Sequence, residues 1–193
     1  MRESIVANET SRREMLLKLS KMGVVGGAAV AALTPGKVQA QGEPAISYAS
    51  WIQGYVMQVE HPELLASDSR IGWCAFVTGN PGTENWFHFA IPTPVVVNDV
   101  RLQADSIMLR FDTGSADAWV RQVDIWDGWK QIGTFPDLNW SGQHWFERLI
   151  VPNTPAMGYG LGISVGVDFG VEAMDHGMKF YGAGCDFVTR PSA

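Results

Sequence analysis

The chain predicts an all-β domain, an antiparallel sandwich or jelly roll of about nine strands in a single unit covering residues 41–193. Three observations carry that prediction. Past residue 40 the apolar residues recur with period two, β-branched and aromatic residues fill the alternating runs, and Gly, Pro, Asn and Asp punctuate them at short intervals. Helical periodicity is nearly absent, and no internal repeat marks a propeller or solenoid.

The strands are read in order at Ile46 to Glu60, Arg70 to Thr78, Asn85 to Ile91, Val100 to Asp112, Ala118 to Asp127, Lys130 to Phe135, His144 to Val151, Gly158 to Gly170 and Gly177 to Val188. Between the first two, Glu63 to Asp68 is the one helical candidate, a single turn at most. In the fourth strand Val100, Leu102 and Ala104 share a face, and Ile107, Leu109 and Phe111 resume it one residue out of phase. One inserted residue restores the register, so a bulge is expected at Asp105-Ser106. Gly79-Asn80-Pro81-Gly82, Asp112-Thr113-Gly114-Ser115, Asp127-Gly128 and Asn139-Trp140-Ser141-Gly142 carry turn chemistry. Pro92 and Pro94 cannot donate ladder hydrogen bonds and close the third strand.

Residues 1–40 read as a twin-arginine export signal. Arg12-Arg13 precede an apolar run of 11 residues, Gly23 to Leu33, and Val38-Gln39-Ala40 offers the small residues a signal peptidase needs, with cleavage before Gln41. The run is far short of the ~20 residues that span a bilayer, so no transmembrane anchor is expected. The destination is periplasmic or secreted. Such a route is compatible with a cofactor acquired before export, but no residue pattern names one.

The signal holds 6 of the 14 Lys+Arg and 3 of the 20 Asp+Glu, leaving 8 basic and 17 acidic residues in the mature chain, a formal charge of −9. The basic residues stand singly, which excludes a nucleic-acid partner. Oligomeric state is not legible. Cys74 and Cys185 are the two cysteines. A bridge between them would close a loop of about 110 residues, worth roughly 4–5 kcal/mol in the chain-entropy model. Two buried free thiols are the alternative, and a chain that folds before export must be stable with both reduced.

The stretches Ala49-Ser50-Trp51-Ile52-Gln53-Gly54, Val59-Glu60-His61-Pro62-Glu63 and Asn85-Trp86-Phe87-His88-Phe89-Ala90-Ile91-Pro92-Thr93-Pro94-Val95 resemble a family of small all-β proteins of unknown function. Val123 to Gly128, Gly160 to Ser164 and Ala183 to Phe187 extend the resemblance over nearly the whole mature domain. It implies one β-rich domain and carries over no catalytic residue.

Gly162-Ile163-Ser164-Val165-Gly166 satisfies G-x-S-x-G, but the strand alternation continues through it, whereas a nucleophile elbow needs a strand, a sharp turn and a helix. Its closely spaced glycines fit a strand approached by a ring or another backbone. The four histidines, His61, His88, His144 and His176, show no metal-ligand spacing, and no metal is predicted. The carboxylates Asp124 with Asp127, and Asp168 with Glu172 and Asp175, fit strand ends and turn caps as well as acid/base work. All eight tryptophans lie in the mature chain. Trp51 and Trp73 sit in alternating runs and are expected in the core. Trp126, Trp129, Trp140 and Trp145 bracket turns with polar neighbours. With His88 and His144 they form the candidate ligand-binding set, because rings stack on sugar CH groups while polar side chains bond hydroxyls. Three functions compete: a non-catalytic binder of a small-molecule or glycan ligand, which is the preferred reading, an enzyme using His88 or His144 with a carboxylate, and a self-associating envelope protein.

Overall fold

The computed structural model describes residues 45–189. The expected signal segment and its cleavage site lie outside the described residues. The strands, in chain order, are β1 (Ile46–Gln53), β2 (Gln58–Val59), β3 (Leu65–Ile71), β4 (Cys74–Gly79), β5 (Thr83–Ile91), β6 (Val96–Val97), β7 (Val100–Arg101), β8 (Gln103–Thr113), β9 (Ala118–Asp127), β10 (Lys130–Phe135), β11 (Gln143–Ile150), β12 (Leu161–Phe169) and β13 (Gly177–Val188). They form an antiparallel sandwich. One sheet runs β11-β8-β13-β4-β3, with β1 continuing the β4 side along the second half of β13; the other runs β10-β9-β12-β5-β2.

The core lies between the sheets. Phe180 of β13 packs against Phe87 and Phe89 of β5, with ring centroids 4.9 and 5.5 Å apart. Ile163, Val165 and Val167 of β12 are buried with Ile107, Leu109 and Phe111 of β8, as the period-two pattern requires. The bulge stands where the phase shift puts it: Asp186 pairs with Ser106 and Phe187 with Ala104, leaving Asp105 as the extra residue. At the β9–β10 hairpin, Gly128 has φ +60° in the first of two loop positions, the geometry of a type II′ turn.

Four expectations are corrected. The second predicted strand, Arg70 to Thr78, holds a hairpin turn at Gly72-Trp73 between β3 and β4. The first predicted strand is broken: the chain turns through a 3₁₀ segment at Gly54–Val56, where a Cβ on Gly54 would collide with the backbone carbonyl of Phe180, and so crosses to the other sheet. The predicted helical turn over Glu63 to Asp68 is a 3₁₀ turn at Pro62–Leu64 followed by the edge strand β3. Trp51 and Trp73 are not core residues, at 41% and 57% exposure. Both lie on the outer surface of the six-stranded sheet.

Cys74 and Cys185 are buried free thiols. Ala75 pairs with Phe180, so Cys74 lies level with Tyr181, four residues and about 13 Å along β13 from Cys185. A disulfide needs its Cα atoms within about 7 Å. Burial pushes the thiol of Cys185 well above its ordinary range.

Candidate functional site

The outer face of the five-stranded sheet is built on β12, its central strand. One cross-strand row passes from Gln58 of β2 through His88, Ser164 and Asp124 to Thr134 of β10, so every strand of the sheet contributes a polar side chain to one line. Paired residues in an antiparallel ladder share a face, and this row lies opposite the core face of Phe87 and Val165.

His88 is the hub of the row. Its Nε2 lies 3.0 Å from Glu60 Oε2 and its Nδ1 lies 2.9 Å from Ser164 Oγ. A carboxylate only accepts, so in the neutral imidazole Nε2–H donates to Glu60 and Nδ1 accepts the Ser164 hydroxyl proton. Glu60 is held in place locally: its N–H donates to Trp86 O, and the Asn85 side chain bonds the next residue, His61, through both N–H and C=O. On the other side of Ser164, Asp124 accepts from Gln122 Nε2 at 2.9 Å and from Thr134 Oγ1 at 2.6 Å.

Beside the row lies a cleft of about 340 Å³, with Gly162 and Ser164 in its floor and Trp126 and His88 among its walls. Gly162 pairs with Trp126 on one side and Ala90 on the other, and a Cβ placed on it would meet only Trp126 Cβ, at 3.7 Å. The glycine keeps the floor low. Four residues further on, Gly166 lies beneath Trp86, where a Cβ would press on the indole at 3.1 Å. The guanidinium of Arg121 stacks over that ring at 4.9 Å.

A second cleft of about 340 Å³ opens at the far end of the same face, lined by Trp119, Arg121, Gln122, Asp137, Asn139 and Asp168. Arg121 Nη2 pairs with Glu84 at 3.1 Å, and its Nε lies 2.9 Å from Asp168 Oδ1, near enough for an ion pair but without hydrogen-bond alignment. Burial pushes the Asp168 carboxyl upward, and the charge of Arg121 only partly offsets this.

The six predicted site residues do not converge. Trp126 and His88 share the first cleft. Trp129 stands alone at the tip of the β9–β10 hairpin, 79% exposed. Trp140 is not an open loop ring: it is partly buried against the core and stacks with His144, which stacks in turn on Phe111 at 4.5 Å. His144 is further held by Glu147 and by the Ser141 carbonyl, so this trio plugs the sandwich. Trp145 lies on the opposite face of the molecule, in a ladder with Tyr181 and Trp73 whose rings stack on one another at 5.2 and 5.5 Å. Glu60 and Gly162 join the site from outside the predicted set, and Ser164 enters it as part of the cleft floor rather than as a nucleophile elbow. The one signal for them was the glycine spacing of β12.

Ser164 sits mid-strand, paired on both sides. The amides around it belong to the ladders, so the backbone supplies no oxyanion donors there. Among the described residues no three His, Cys, Asp or Glu side chains gather as a metal site, and no helix is long and apolar enough to cross a membrane.

These features define an all-β protein with an open, mainly apolar cleft on a sheet face, walled by Trp126 and edged by the polar side chains of His88 and Ser164. The chain belongs to the family of unknown function DUF6623, whose model matches residues 46–189. No curated protein matches it. Among solved structures it is similar in fold to the Stig cyclase FisC from Fischerella sp. TAU (10% identity, TM-score 0.43, 72% of this chain and 90% of that one). It is similar also to the low-affinity xylan-binding module CBM86 from Roseburia intestinalis (10%, 0.44, 72% and 96%) and to a family 29 carbohydrate-binding module from Piromyces equi (12%, 0.37, 72% and 90%).

Proposed function

We propose that this protein is a non-catalytic binder of a polyhydroxylated, carbohydrate-type ligand, held in the cleft between Trp126 and the His88–Ser164 pair. The observation that carries the reading is the open floor at Gly162, flanked by an indole on one side and a hydroxyl, an imidazole and a carboxylate on the other. An apolar ring face beside clustered donors and acceptors suits a sugar, whose CH faces stack while its hydroxyls bond. The residues to test are therefore Trp126, His88, Ser164 and Gly162, rather than the full set of loop indoles. Affinity electrophoresis and a glycan array on the purified protein test it. Trp126→Ala should weaken binding by roughly tenfold to a hundredfold, the worth of about 1–3 kcal/mol at a stacking residue. Gly162→Val should abolish binding by raising the floor while leaving the melting temperature nearly unchanged. Wild-type affinity in both variants would remove the cleft from consideration.

The Glu60–His88–Ser164 relay supports a second reading, an enzyme acting through Ser164, because it would polarise the hydroxyl. The missing oxyanion donors weigh against it. A fluorophosphonate probe is expected to leave Ser164 unlabelled, and stoichiometric labelling abolished by His88→Ala would establish the enzyme instead.

The ligand is met outside the cytoplasm on the export reading of residues 1–40. Arg12→Lys with Arg13→Lys should then strand the precursor in the cytoplasm, while exported protein should begin near Gln41; an uncleaved, membrane-bound form would contradict it.

A further inference from the structure

We infer that the two clefts on the five-stranded sheet are subsites of one groove, and that its ligand is an extended, uncharged polysaccharide chain rather than a single sugar. The inference rests on the reading of the first cleft as a sugar site and extends it along β12. Gly162 marks the first cleft and Asp168 the second, six residues apart in an uninterrupted strand, which is about 20 Å. That span is several pyranose rings long. Three tryptophans face the same side along it: Trp126 is paired with Gly162, Trp86 with Gly166 and Trp119 with Asp168.

Polar side chains stand between the clefts. Gln122, in the wall of the second cleft, donates to Asp124, and Asp124 is paired across the ladder with Ser164 in the floor of the first. The second cleft is itself lined by hydrogen-bonding side chains, Gln122, Asp137 and Asn139 among them. Arg121 and Asp168, also in its wall, are held together as an ion pair at 2.9 Å. Amide and carboxylate side chains of this kind donate to and accept from sugar hydroxyls.

Charge selects the class of chain. Glu60, Glu84, Asp124, Asp137 and Asp168 border the groove against the single guanidinium of Arg121, which two of those carboxylates already neutralise. A uronate or sulfated chain would meet net repulsion; a neutral chain meets none.

Isothermal titration with neutral β-linked gluco- and xylo-oligosaccharides, from the monosaccharide to the hexasaccharide, tests the groove, with oligogalacturonate as the anionic comparison. Affinity should rise by about tenfold or more from the disaccharide to the hexasaccharide, as a further ring and its hydroxyls are engaged. Trp119→Ala should bring hexasaccharide affinity down to the disaccharide level and leave the disaccharide unaffected. Asp137→Asn, a residue type that tolerates the φ of 56° there, should weaken only the longer ligands, by severalfold, and serves if the tryptophan variant fails to fold. Affinity independent of length, yet lost in Trp126→Ala, would overturn the groove and leave the single cleft standing. Tighter binding of oligogalacturonate would overturn the inference on charge. Binding of no saccharide at any length would remove the groove together with the cleft reading beneath it.

Discussion

The indole of Trp51 rests on Gly184 across the β1–β13 ladder: a Cβ on Gly184 would fall 2.5 Å from the ring and 2.8 Å from the Ser50 carbonyl. The tryptophan covers a stretch of central strand that carries no side chain of its own, and its outer side meets Phe146 with ring centroids 5.9 Å apart. A tryptophan placed by alternation in a core is thus part of an outer layer.

The two positions should be coupled. Trp51→Ala should cost about 1–2 kcal/mol, below the roughly 3–5 kcal/mol expected for Phe180→Ala, because much of the indole already meets water. Gly184→Ala should destabilise the wild type by displacing the ring and destabilise the Trp51→Ala background less. Additive effects in a urea-melt double-mutant cycle would show that the ring does not depend on the glycine.

Trp129 and Trp140 should part company although both follow from turn chemistry. Trp129→Ala should change stability by less than about 0.5 kcal/mol, since its ring stands free at the hairpin tip. Trp140→Ala should cost about 1–3 kcal/mol, because the ring stacks with Phe111 and His144 and the backbone pairs with Val120. Thermal melts of the two variants distinguish these outcomes, and equal stability would refute the plug.

Both thiols should resist modification in the folded protein. Cys185 is buried, and desolvation raises its thiol so that thiolate is scarce; burial raises Cys74 as well. Intact mass should be the same with and without reductant, and a maleimide should label both cysteines only after unfolding. A loss of two mass units in protein never exposed to reductant would mean a bridge, and a backbone different from this one.

What was legible in the sequence was local. The phase shift in Val100 to Phe111 reveals the bulge at Asp105 because one face of that strand is buried and tolerates no slip. Strand β3 escaped the same logic: from Ala66 to Ile71 it is exposed, so no alternation marks it, and it exists by pairing with β4. The site divides in the same way. That His88 shares a face with Trp86 follows from period two, but its meetings with Glu60, 28 residues before it, and Ser164, 76 residues after it, depend on how distant segments come into register. Only the spaced glycines of β12 hinted that something approaches that face.

Asp127 gives the last prediction, a pH-dependent clamp on the segment leading into β12. Its carboxylate accepts from the N–H groups of Gly158, Tyr159 and Gly160 at 2.6, 2.8 and 3.0 Å. Burial alone would push this carboxyl up, but the three backbone bonds outweigh it and hold it below the usual carboxylate range. A carboxylate lowered in the folded state contributes stability that is fully present above its unfolded pKa of about 3.9 and is lost as pH falls through the lower folded value. Asp127→Asn keeps the shape but turns an amide toward donors, and should cost about 1–3 kcal/mol at pH 7. Chemical denaturation from pH 7 down to pH 2 should show wild type and variant converging only below about pH 4. A gap that persists undiminished to pH 2 would show that the clamp does not depend on the charge.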